Sequence, residues 1–181
     1  IVSGAGSVPD PFIYQYININ SAKIKGLEGK LDLNLPSGFN ARLAMAYAHG
    51  TTSSPTVPNG HLTDINPFTA VLGLGYREPT SGWFGGQFAL TYNGQKEVDE
   101  ATDIIGCSGL GCYRPDAVFL LDFTAHVRIA DMITLRGGVF NIFDKKYALW
   151  SDVRGLTATS TTLDAYTRPG RNGSVSISFR F

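Results

Sequence analysis

The sequence has no long apolar run. Outside glycine no unbroken one exceeds the six residues 43–48, and the next is 117–121, far short of the roughly 18–20 residues that a membrane-spanning helix needs. Charge of one sign is also missing: Lys+Arg 15 balance Asp+Glu 15 for a formal net charge of +0. There is therefore no basic field to draw the chain to nucleic acid. Cysteine and methionine are down to 2 each, and two thiols without further ligands at finger spacing exclude a zinc finger. Neither a Walker A motif nor a Gly-x-Gly-x-x-Gly match occurs, so no nucleotide site is expected. The start, Ile1-Val2-Ser3-Gly4-Ala5-Gly6, has no Met, charged n-region or apolar h-region. The expectation is a leader already removed, or a piece of a longer chain.

What is present is alternation. Apolar residues make up 43% of 181 at a mean hydropathy of -0.00, and 21 Gly with 8 Tyr and 11 Phe disfavour long helices. Period-two patterning predicts strands at 12–18, 22–35, 39–49, 67–77, 83–95, 116–129, 133–143 and 173–181. Leu27, Leu31, Leu33 and Leu35 alternate with Glu28, Lys30, Asp32 and Asn34. Phe119, Leu121, Phe123 and Val127 alternate with Asp122, Thr124, His126 and Arg128. One face of each strand is apolar and the other is wet.

The connections sort by length. Residues 36–38, 78–82 and 130–132 are tight turns carried by Pro, Gly and Asp, whereas 50–66, 96–115 and 144–172 are long and polar. Short and long alternate, as in an up-and-down barrel with turns at one rim and loops at the other. A soluble sandwich, which packs its apolar rows on a core, has no reason to sort its loops so. Strands of about 11 residues, rising about 3.3 Å each and tilted about 40°, cover roughly 25–28 Å of apolar band. Closure removes the unpaired edge amides that hydrocarbon penalises. Tyr14, Tyr16, Tyr47, Tyr76, Trp83, Tyr92 and Phe143 fall near strand ends, where an aromatic girdle sits.

Two motifs near the end carry a resemblance. Asn141-Ile142-Phe143-Asp144-Lys145-Lys146-Tyr147, with Pro169-Gly170-Arg171 ahead of a Phe-ending strand, resembles the C-terminal part of a TonB-dependent outer-membrane receptor. Trp150-Ser151-Asp152-Val153-Arg154-Gly155-Leu156 with Tyr166-Thr167-Arg168-Pro169-Gly170-Arg171-Asn172 resembles the haem branch, which takes haem from haemoglobin, from haemophores or free. The resemblance covers most of the chain, with its specific motifs in residues 141–181. It implies an all-β transmembrane antiparallel barrel of about 22 strands around a plugged lumen. Residues 1–181 would supply about eight C-terminal strands, with the plug and N-terminal strands outside this chain. It further implies the bacterial outer membrane as location and haem as a transported ligand, not a covalent cofactor. The implied partners are haem or a haem-carrier protein outside, a TonB-type energy transducer acting through the plug, the outer-membrane assembly machinery and membrane lipid.

Candidate residues follow from both readings. Haem favours histidine as axial ligand, so His61 in the first long loop and His49 at a strand top are candidate haem contacts; the plainer reading is solvated polar residues. Motifs that carry a barrel-side haem ligand are expected upstream of Ile1. Cys107 and Cys112 bracket a Gly-rich stretch of the second loop and are expected to form a disulfide that stiffens it locally, the alternative being two free thiols. Tyr147, Trp150, Asp152, Arg154, Tyr166 and Arg171 either face a ligand, by stacking and by pairing with propionates, or brace the loop base; bracing is preferred, with Arg171 and Asp144 as framework. Phe181 resembles the C-terminal aromatic of the barrel assembly signal, or is a plain apolar anchor.

The expected function is active import of haem by a receptor that is not an enzyme. A siderophore receptor of the same superfamily is the runner-up. A self-contained eight-stranded adhesion or structural barrel, and a hydrolase using the wet row around His126, are the readings from other classes.

Overall fold

The structure, a computed structural model, describes residues 21–53, 60–98, 111–129 and 132–181. Its strands form one antiparallel sheet: β1 (Ser21–Asn34), β2 (Phe39–Ser53), β3 (Gly60–His61), β4 (Thr69–Arg77), β5 (Phe84–Asn93), β6 (Val118–Ile129), β7 (Ile133–Phe140) and β8 (Asn172–Phe179). The order is β1-β2-β4-β5-β6-β7-β8, with the two-residue β3 paired to β2. Each long strand lies beside the one before it, the up-and-down connectivity that the loop lengths predict. The helical content among the described residues is a short helix, α1 (Trp150–Val153), and a 3-10 turn at Leu163–Tyr166. The strand expected at 12–18 lies outside the described residues, as do Tyr14 and Tyr16.

Register turns the alternation into rows. Leu31 faces Leu43, Leu43 faces Leu72, Leu72 faces Leu90 and Leu90 faces Leu121, so one line of leucines crosses β1 to β6. The row nearer the short turns runs Leu33, Ala41, Leu74, Phe88, Phe123, Val139. These side chains are exposed or half-buried: Leu31 is 64% and Leu74 52% accessible, while Leu43, Leu90 and Leu121 are half-buried. A continuous apolar belt of this size is stable when hydrocarbon replaces water against it, at about 25 cal/mol per Å². The other face is polar. There Arg42 bonds Asp32, Lys30 lies 3.1 Å from the same carboxylate, and Arg136 donates to the Ser178 hydroxyl at 3.1 Å.

Aromatics mark both ends of the belt. At the turn rim Phe39, Tyr76, Phe84 and Trp83 form a chain with ring centroids 5.0, 5.6 and 4.5 Å apart. Toward the loop rim, Phe68, Tyr92 and Phe119 lie 6.0 and 4.7 Å apart. Tyr76, Trp83 and Tyr92 thus stand where girdle residues are expected. The β1–β2 turn requires glycine, because Gly38 has φ +92° and a Cβ there would lie 2.2 Å from the Arg77 carbonyl oxygen.

Two boundaries differ from the sequence pattern by more than two residues. β2 runs on to Ser53, past the expected end at 49, because β3 pairs with its extension through Thr51 and Thr52. β7 stops at Phe140 instead of 143, because Asn141 takes φ 51° and turns the chain out of the sheet.

Candidate functional site

The long loops meet at one rim, and residues 141–171 tie them together. The tie starts at Asn141, which is 4% exposed. Its backbone N–H donates to Asp122 Oδ1 on β6 at 2.7 Å. Its side-chain Nδ2 donates to the carbonyls of Lys145 (2.8 Å) and Pro169 (3.2 Å), and its Oδ1 accepts the Lys145 amide at 2.9 Å. Asn tolerates φ near 50° and offers both a donor and an acceptor over this short reach, whereas Asp at the same φ would offer acceptors alone. Asp144, at φ 52°, accepts the Arg171 backbone N–H at 2.7 Å. A Cβ at Gly170 would lie 2.6 Å from that carboxylate, so the glycine of Pro169-Gly170-Arg171 clears its approach.

Further out, α1 anchors the first loop. Trp150 is 4% exposed and its Nε1 donates to the Thr63 carbonyl at 2.7 Å. Val153 is fully buried beside it. Arg154 pairs with Asp64 of the same first loop. Asp152 Oδ2 receives Arg168 through two nitrogens, Nε at 2.9 Å and a terminal guanidinium nitrogen at 2.6 Å, converging on the one oxygen. The second loop is held as well: Tyr113 N–H donates to Leu156 O at 2.9 Å, Ala158 N–H to Gly111 O at 2.8 Å, and Cys112 bridges Thr157. Cys112 is 7% exposed and is not a free thiol; Cys107 lies outside the described residues.

Charge is arranged around this frame. Lys146 sits 2.6 Å from Asp164, which raises the ammonium and lowers the carboxyl from their ordinary pKa values, through the hydrogen bond first and the charge second. Burial pushes the Tyr147 phenol up, with the Arg168 cation opposing. The Tyr147 carbonyl also accepts the Arg168 backbone N–H at 2.8 Å, and Tyr147 lines, with Tyr113, Phe143 and Lys145, a concavity of ≈ 780 Å³.

The expected site residues therefore divide. Asp152, Arg154, Trp150 and Tyr147 are in the brace, and Arg171 joins it through its backbone. Tyr166 is 41% exposed on the 3-10 turn. His49 and His61 come together, rings 5.4 Å apart and edge to face, but they share the outward parity of Tyr47 and Thr51. That parity aims them away from the lumen. Asp122 of the wet row accepts the Asn141 amide, while His126 faces Arg136 across β6 and β7. Phe181 is wholly exposed just past β8. Thr63, Asp64 and Asp122 are partners that periodicity does not reveal, since each acts on a residue of a distant loop.

Comparison with known proteins places this arrangement. Residues 1–142 match the family described as TonB dependent receptor-like, beta-barrel. The chain is 27% identical to a probable hemoglobin and hemoglobin-haptoglobin-binding protein of Haemophilus influenzae, over 99% of this chain and 20% of the relative. It is 29% identical to hemoglobin-haptoglobin utilization protein B of Neisseria meningitidis, over 98% and 24%. With transferrin-binding protein A of N. meningitidis it shares 30%, over 92% and 21%. The chain thus spans about a fifth of the length of these curated relatives. Among solved structures, copper transporter OprC superposes with a TM-score of 0.70 at 23% identity, covering 88% of this chain and 23% of that one. The pyoverdine receptor FpvA of Pseudomonas aeruginosa gives 0.66 at 17%, covering 99% and 25%. These two share the fold. With an open sheet of up-and-down strands, a belt of outward leucines and a family match over residues 1–142, the chain belongs to the TonB-dependent receptor β-barrels of the Gram-negative outer membrane.

Proposed function

We propose that residues 1–181 are the C-terminal portion of the barrel wall of a receptor that imports haem from haem-carrying proteins, powered by a TonB-type partner acting on a plug that lies outside this chain. The observation that carries the ligand class is that relatives matched across nearly the whole chain are named for haemoglobin or haemoglobin-haptoglobin. The ties that hold the described bases of the three loops to residues 141–171 support it, because a folded protein ligand needs a surface that holds its shape. Asp122, the carboxylate nearest in pattern to a catalytic partner for His126, is spent on the Asn141 amide. The receptor is therefore read as a transporter, not an enzyme, with haem as cargo. In this reading a Cys107–Cys112 disulfide stiffens the second loop locally, and Phe181 serves the assembly machinery. The siderophore reading has weaker support, since the pyoverdine and enterobactin receptors resemble this chain at 15–19% identity.

The test is growth of a haem-requiring strain whose own receptors are deleted, complemented with the intact receptor. Growth on haemoglobin, with a Soret band on haem titration of the purified protein, is expected. Growth restored by ferric siderophores alone, with no Soret band, would overturn the reading.

A further inference from the structure

We propose that the lumen wall near the short-turn rim is an exit station for anionic cargo, where Arg77, His126, Arg128 and Arg136 hold the propionate carboxylates of haem before it leaves the barrel. The proposal deepens the import reading given above and rests on it. Short turns lie at the periplasmic rim of such barrels, so these side chains stand where cargo departs, far from the loops that meet the ligand.

The register gathers them. Arg77 lies opposite Gly85, Gly85 opposite His126, and His126 opposite Arg136, so three of the four share one row across β4 to β7. Strands about 4.8 Å apart put the ends of that row about 15 Å from each other. Arg128 stands in the next row toward the turns, opposite Thr134. All four share the parity of Gln87 and Asp122 and face the lumen. Two glycines make room for them. A Cβ at Gly82 would lie 2.5 Å from Arg77 Nε, and one at Gly85 would lie 2.7 Å from His126 Cε1.

The cluster keeps its positive sign. Asp32 is taken by Arg42 and Lys30, and Glu78 is spent on the amides of its own turn. Arg128 donates to the Ser81 carbonyl and Arg136 to the Ser178 hydroxyl, both neutral acceptors. Among the described residues the Arg77 guanidinium and the His126 ring have no hydrogen-bond or ion-pair partner. Toward the loops the same face of β4 to β7 is different: Val71, Ala89, Thr91 and Leu120 are uncharged, and the one charge is that of Asp122. An anion is therefore drawn past a neutral to negative stretch toward the turn rim, along a path whose low-dielectric wall focuses the field. Haem presents two carboxylates on one edge, and guanidinium forks match them. Arg77 and Arg136 are exposed, and exposed ion pairs are weak enough to release what they hold.

The experiment compares uptake of iron-labelled haem and of haem dimethyl ester, whose propionates are blocked, by the intact receptor in a strain lacking its own haem receptors. Rates are taken at saturating ligand and per receptor in the outer membrane, with heat-modifiable migration confirming each barrel. Wild type is expected to import haem faster than the ester. Arg77→Gln/Arg136→Gln should slow haem uptake on the order of tenfold, leave ester uptake and the Soret titration of the purified receptor unchanged, and be rescued in large part by Arg77→Lys/Arg136→Lys. Equal uptake of haem and ester by wild type overturns the proposal without recourse to any variant. Haem uptake by the double variant equal to wild type also overturns it. So does equal slowing of haem and ester, which would assign the cations to the plug and not to the propionates. A wild-type receptor that imports neither form would refute the import reading itself, and this proposal with it.

Discussion

The strand wall and the loop crown are built on different rules. In the wall, Leu31, Leu43, Leu72, Leu90 and Leu121 do one job in common, each facing another leucine across the backbone ladder. In the crown, Trp150 meets the Thr63 carbonyl, Arg154 meets Asp64 and Asn141 meets three backbone groups and Asp122, each through a named atom. The wall is redundant and asks for a chemical class. The crown is not redundant and asks for a particular residue.

The largest effect should come from the crown. Trp150→Ala removes a buried indole, for which core truncations cost about 3–5 kcal/mol, and leaves the Thr63 carbonyl without its donor. Limited trypsinolysis of the intact receptor is expected to cut after Lys146 and Arg154 in the variant and to spare wild type, while heat-modifiable migration of the barrel stays the same. Loss of the folded barrel itself would break the comparison, since crown and wall would then be one cooperative unit. In the wall, Leu72→Ile should leave outer-membrane levels unchanged. Leu72→Arg puts a charge in the middle of the belt at about 2–4 kcal/mol and should lower those levels severalfold.

Asn141 sharpens the boundary between the two regions. Asn141→Ala strands the Lys145 amide and the Pro169 carbonyl, at about 1–3 kcal/mol for a buried polar group left unpaired, and places alanine at φ 51°. Asn141→Gly relieves the backbone but not the lost bonds. Tryptic protection of residues 141–171 should therefore fall for both, with glycine retaining slightly more. Full protection in the glycine variant would reduce Asn141 to a backbone role.

How much of the molecule is legible in the sequence follows from the same division. Period-two alternation locates the long described strands to within a few residues, because lipid on one side and water on the other impose the period directly. It fails at Asn141 and at Thr51–Thr52, where a positive φ and an unforeseen two-residue partner strand decide where pairing ends. The motif residues Asp152, Arg154 and Trp150 stand out, and bracing is the preferred reading for them. Their partners do not stand out: Thr63 is 87 positions from Trp150, and no local pattern encodes a contact at that distance. His49 and His61 are legible as histidines but not as neighbours, since only the β2–β3 pairing brings their rings together.

The smallest effect belongs to the other rim, at Glu78, where a wall element behaves like the crown. Its Oε1 accepts the Thr80 amide at 2.8 Å, and its Oε2 accepts the amides of Ser81 and Gly82 and the Ser81 hydroxyl at 2.8–2.9 Å. These bonds, led by that from the Ser81 amide, pull the carboxyl from 4.5 down to about 2. A depressed folded-state value means that the ionised form is the one the fold prefers. The contribution is therefore fully present above about 4.5 and is lost as pH falls through about 2. Glu78→Gln, with one acceptor oxygen where the carboxylate has two, should lower resistance of the turn to protease at neutral pH, and the gap from wild type should close on acidification through that window. A gap that persisted unchanged at the acid end would mean that the turn is held by its Pro79 and Gly82 geometry and not by the carboxylate, and that the wall is generic even where its chain reverses.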